Sequence, residues 1–218
     1  MGRITLVCTV HRAMGLCNED ELIRILAAIG PDVIFEEIRQ SDFDSRYQDE
    51  SKHTLEMRAV VRYLNARHAR QVPVDDFVIP RGFRRVIDTV FEYAESNSSE
   101  YRALVAERDQ KTFHRGFRYL NSPECEALSR RARESFERCI ALSGCDDLIK
   151  GLSTWNDLLL RREASIVENI YDFCRKSQFT EGVFLVGAEH MGSIAANTEK
   201  RIQTENNVVT WNIGKLPG

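Results

Sequence analysis

Apolar residues gather into short unbroken runs near the two ends of this chain and into a spaced, helical rhythm between them. ITLVCTV (4–10), VIF (33–35) and VFLV (183–186) carry no charge. Such runs, bounded by Gly, Pro or polar residues, read as strands buried on both faces of a parallel sheet. Gln71–Val74, closed by Asp75-Asp76, and Val208–Trp211 read as two briefer strands. Between the first two runs, Asn18 with Glu21 three residues later makes a capping-box-like helix start. Leu22, Ile25, Leu26 and Ile29 form one face of that helix, and Gly30-Pro31 stops it. After a polar loop, Leu55, Val60, Val61 and Leu64 predict a helix over about 52–68, and a further helix is expected over 192–203. The alternation β-α-β-α-β is that of right-handed parallel crossovers.

The middle is different. Residues 81–175 hold no convincing strand and read as helices of about 81–95, 99–120, 123–143 and 146–176. Their breaks fall near Asn97-Ser98-Ser99, Asn121-Ser122-Pro123 and Ser143-Gly144. The predicted fold class is α/β. A mostly parallel central sheet is flanked by helices, with a large helical insertion or cap over about 81–176, in one domain spanning 1–218. The cap is a candidate lid or homo-oligomer interface, and the tail 214–218 is expected to fray.

Charge and cysteine usage narrow the partners. A net charge of −3 supplies no global basic field for nucleic acid or anionic membrane. The basic clusters at 81–85 and 129–133 have balancing Glu nearby and read as solvated helix faces. No apolar run approaches the roughly 18 residues that span a bilayer, and no secretory signal pattern is present. The six cysteines show no C-x-x-C spacing. Reduced thiols in a cytoplasmic protein are expected.

Candidate chemistry sits at the strand ends. In open α/β sheets, ligands bind at the carboxyl ends of the strands. His11 and His190 each follow a strand, and Glu36-Glu37 follows VIF. Imidazole suits zinc, manganese or iron and works as acid or base near neutral pH. Adjacent carboxylates point to opposite faces of a strand, so one of the pair is expected to face the site and the other to pair elsewhere. In the helix over 148–174, Arg162 and Glu163 flank the centre of the apolar stripe. Two readings of Arg162 stand side by side: an ion pair with Glu36 or Glu37, or a bidentate grip on a substrate anion. Gly187-Ala188-Glu189-His190 followed by Gly192-Ser193 is a strand–loop–helix junction whose helix end could cradle an anion. No Walker, dinucleotide-binding, G-x-S-x-G or H-E-x-x-H signature exists.

The order strand–x-x-His11, then PDVIFEEI, then Arg162-Glu163 in a long helical stretch, then Gly187-x-x-His190 resembles the TraB/Tiki superfamily, which also takes in erythromycin-esterase-like and ChaN-like proteins. The resemblance covers about 4–40 and 155–195 through its motifs, and the middle only through helical character. It departs at Cys8, where the family has Gly, a side chain expected to narrow the pocket or alter a close backbone approach. The resemblance implies a parallel-sheet core with a helical cap. It also implies metal-dependent peptide hydrolysis, ester hydrolysis or haem binding, depending on the branch.

Three functions are therefore expected in competition. The first is a divalent-metal-dependent hydrolase of a peptide or small-molecule substrate, with Mn, Zn, Co or Fe held by His11, Glu36 and His190. Its catalytic set is His11, Glu36, Glu37, Arg162 and His190, backed by Glu163, Glu189 and Asp75. The second is a metal-free acid/base esterase. The third is a non-catalytic binder of haem or a small anion.

Overall fold

The computed structural model describes residues 1–205 and 207–217. Five strands form one all-parallel sheet: β1 (Gly2–Thr9), β2 (Val33–Arg39), β3 (Arg70–Asp75), β4 (Glu181–Gly187) and β5 (Val209–Asn212). Their spatial order is β3-β2-β4-β1-β5. Ile4, Val7, Ile34, Phe35, Val183 and Phe184 have no exposed surface, which is why these stretches are apolar on both faces. The edge position of β3 lets it tolerate Pro73.

The crossovers are helical. α1 (Glu19–Ile29) starts at Asn18, whose side chain accepts from the Glu21 N–H, and ends at Gly30 in the left-handed region. α3 (Leu55–Leu64) packs beside α1, and α8 (Met191–Thr204) beside the long α7 (Asp146–Lys176). α4 (Phe83–Asn97), α5 (Ser99–Leu120) and α6 (Pro123–Ala141) complete the helical middle. There Ile87, Val90, Ala94, Phe136, Ile140, Leu148 and Leu152 make a small apolar cluster separate from the sheet's core. α7 joins the two: its first turns belong to the cap cluster, and Ile166, Val167, Ile170 and Tyr171 belong to the sheet core. α5 kinks at Gly116 (φ 61°), where a Cβ would lie 2.9 Å from the Leu16 carbonyl oxygen, so only glycine lets the loop after β1 lie this close.

Three expectations need correction. β2 runs on through Glu36 and Glu37 to Arg39, so the acidic pair lies inside a strand and not past its end. The polar loop after β2 contains the short helix α2 (Phe43–Gln48), with a single 3-10 turn behind it. The helix expected over 52–68 is limited to Leu55–Leu64, because Thr54 caps it by accepting from the Met57 N–H. All six cysteines are free thiols. Among the described residues no helix is long and apolar enough to cross a membrane.

Candidate functional site

β1 and β4 lie side by side at the centre, with Thr9 level with Gly187. The chain leaves β1 over β4 toward β2, and leaves β4 past β1 toward β5. Diverging exits of this kind open a crevice at the strands' carboxyl ends. Both sequence-predicted histidines stand there, and both line one cleft of about 230 Å³. A second cleft, of about 410 Å³, lies under the cap and shares Arg108, Ala188, Glu189 and His190 with the first.

Each histidine is held from behind by a buried carboxylate. Nδ1 of His190 is 2.6 Å from Glu163 Oε1, and Nδ1 of His11 is 3.1 Å from Glu56 Oε1. Glu163 is only 2% exposed and Glu56 8%. Carboxylates so far from water need a cationic or hydrogen-bonding partner. In both pairs this fixes the ring, with Nδ1 as the donor when the carboxylate is ionised. The Thr9 hydroxyl also donates to Glu56 Oε1, at 2.6 Å, which locks that carboxylate to the end of β1. The hydrogen bond with Glu56 raises the His11 pKa above the ordinary histidine value. Burial pushes the Glu56 carboxyl up, but its bonds from His11 and Thr9 win and hold it below the usual range.

The acidic pair of β2 splits by strand alternation. Glu37 faces α7, where its carboxylate bonds the Arg162 guanidinium and accepts from the Gly187 N–H at 2.9 Å. Glu36 faces the other way, accepting from the Tyr47 hydroxyl and from Gln71 Nε2 at 3.0 Å. Among the described residues no cation pairs with it, and burial pushes its pKa up to about 7.

Arg162 is the hub of the strand ends. Its Nε and Nη2 donate to Asp75 Oδ2 at 3.1 and 2.9 Å, Nη2 also bonds Glu37, and Nη1 lies 3.2 Å from His190 Nε2. Phe77 covers the guanidinium face, with its ring centroid 5.9 Å away. The fork is spent on internal carboxylates, so the ion-pair reading of Arg162 is the one realised. Asp75 is thereby joined to the site, while Glu189 lies on the rim with Arg108 Nη1 3.1 Å away.

The metal set expected from the resemblance does not fit this arrangement. Glu36 lies on the opposite face of β2 from Arg162 and His190, with both oxygens engaged. His190 Nε2, the nitrogen free to ligate, faces a guanidinium. Among the described residues no three His, Cys, Asp or Glu groups gather as a metal-holding cluster. The expectation for Cys8 is also corrected. Its side chain is buried in the core and lines neither cleft, and its N–H and carbonyl are both bound by the Asn121 side chain, at 2.7 and 3.1 Å.

Sequence reasoning missed Glu56, Tyr47 and Arg108. A signal existed for two of them. Glu56 shares a helical face with the buried Ala59, Val60 and Tyr63, and Arg108 shares one with the buried Leu104 and Thr112. An acid or base on a buried stripe is an interior group awaiting a partner. Tyr47 offered none, since α2 buries no residue. Comparisons with family models, with curated proteins and with solved structures give no match to this chain.

Proposed function

We propose that this protein is a hydrolase of ester or amide bonds in small molecules or peptides, working at the cleft between His11 and His190. One observation carries this reading: two imidazoles, each oriented through Nδ1 by a buried glutamate, line one cleft at the switch point of a parallel sheet. The ordered motifs shared with the TraB/Tiki superfamily add support. In this reading His11 is the proton-transfer group. Its Nε2 has no protein partner among the described residues, and Glu56 stabilises the imidazolium formed when His11 takes a proton from the attacking water. The same ring then returns the proton to the leaving group. His190, whose Nε2 lies 3.2 Å from Arg162 Nη1 and 3.4 Å from Glu37 Oε1, holds a polar group of the substrate. Arg108 lines both clefts and balances negative charge developing on the attacked carbonyl. No step passes through a metal ion. Six free cysteines favour a reducing compartment, the cytoplasm.

The test is hydrolysis of a panel of 4-nitrophenyl esters and peptide 4-nitroanilides, with and without EDTA. His11→Gln is expected to lower kcat/KM by about 10²–10⁴, the usual worth of a general acid/base group. EDTA is expected to change nothing. Unchanged rates in both His11→Gln and His190→Gln would sink the hydrolase reading, and loss of activity in EDTA would return the metal to it. The runner-up is a non-catalytic binder of a small anion, for which Arg108, lining both clefts, would supply the cation.

A further inference from the structure

The cleft of about 410 Å³ under the cap has two unlike walls. One is aromatic: Phe91, Tyr101 and Phe136 form a continuous patch, with ring centroids 5.0 Å apart for Phe91–Phe136 and 5.4 Å for Tyr101–Phe136. Trp155 lines the same space and stacks on Phe83 at 6.4 Å. The other wall is charged, with Arg108, Arg130, Arg133 and Arg162 facing Glu126, Glu137 and Glu189.

Two of the three carboxylates in the cleft have a bonding partner within the protein, and the third lies beside a helix start. Glu189 pairs with Arg108. Glu137 accepts from the Asn156 amide at 3.2 Å. Glu126 sits against the start of α8, with Oε1 3.6 Å from where a Cβ on Gly192 would be. That helix end has no side-chain cap of its own and favours a nearby anion. Arg108 and Arg162 are committed to acids in turn. Arg130 and Arg133 remain. They are one turn apart on α6, both line the cleft, and neither forms an ion pair or a side-chain hydrogen bond among the described residues.

We propose that this cleft recognises a small carboxylic acid with an aromatic or similarly flat apolar body, the acid held by Arg130 and Arg133 and the body by Phe91, Tyr101, Phe136 and Trp155. A guanidinium is opposite in charge to a carboxylate and matches it in the fork geometry of its donors. The aromatic patch supplies the apolar, mostly preformed wall that small-ligand sites share. The scissile bond would then lie at the other end of the molecule, because His190 and Arg108 belong to both clefts. This assignment rests on the clefts being the substrate site of the proposed hydrolase, but its test reads binding alone, so the two can fail separately.

The probes are 3-phenylpropanoate and its uncharged isostere 3-phenylpropanamide. Binding is read by calorimetry on the unaltered chain and by tryptophan fluorescence. Trp155 lies in the cleft, and the only other tryptophan, Trp211, is on β5. The acid is expected to bind about tenfold more tightly than the amide, a gain typical of one good charge-assisted contact. In Arg130→Gln/Arg133→Gln that preference should vanish while amide affinity stays unchanged. In His190→Gln the preference should persist. Equal binding of acid and amide overturns the proposal, as does a preference that survives the double substitution. Failure of both probes to saturate at millimolar concentration overturns it too. Hydrolysis that survives such a failure leaves the catalytic reading standing alone.

Discussion

The strand ends and the helical cap treat charge in opposite ways. At the strand ends, the buried Asp75 and Glu163 and the half-buried Glu37, Arg162 and His190 are bonded to one another, so each charge is answered within the protein. On the cap, Arg130 and Arg133 are exposed, half-turned into a cleft, and without a partner among the described residues. Burial explains the contrast. A charge taken out of water costs several kcal/mol unless a partner restores what hydration supplied, whereas one at the surface needs none. The buried network therefore serves to hold ring positions, and the surface cations are free to meet something from outside.

The sharpest way to break this contrast is Arg162→Ala. It leaves Glu37 and Asp75 facing each other in the interior, and a loss of about 3–5 kcal/mol in unfolding free energy is expected by urea denaturation. A loss below about 1 kcal/mol would mean the network is wetter than its burial implies.

Glu36 is the exception within the strand-end region, a buried acid without a paired cation among the described residues. Its folded pKa of about 7 lies above the ordinary value of 4.5, so folding favours its protonated form. That contribution is fully present below pH 4.5 and is lost as pH rises through about 7. Glu36→Gln, which never ionises, should match the wild type at acid pH. It should become more stable than the wild type across that window, by on the order of 3 kcal/mol above it. Equal stabilities at pH 5 and pH 8 would remove the claim that this acid is strained.

A smaller effect tests the coupling between His11 and Glu56. The carboxylate favours the imidazolium, so base catalysis by His11 should appear only as pH rises past a value above the usual histidine range. Glu56→Gln removes that charge, and the rising limb of kcat/KM against pH should move to lower pH. A limb that stays in place would assign it to another group. The smallest effect belongs to the cap: Arg133→Ala is expected to change stability by no more than about 0.5 kcal/mol, as befits an exposed side chain with no partner to lose.

The same division decided what could be read from the chain without its structure. Strand runs such as VFLV were legible because a strand buried on both faces must be apolar throughout. Arg162 and Glu163 were legible as inward groups because a helix repeats its face every few residues. His11 and His190 were placed at strand ends by the same local reasoning. Their partners were not. Glu56 lies 45 residues from His11, and Glu163 lies 27 from His190. Local periodicity assigns a face but not the neighbour across it. Glu36 shows the limit most plainly. It lines a small pocket with His11 and Glu56 while its neighbour Glu37 meets Arg162, and alternation alone does not say which of the two takes which face. The sequence by itself determined the elements, their parallel order in outline and the residues that would have to be partnered. Only the tertiary structure decided which partners they met, because strand order and helix packing join groups that are distant in sequence.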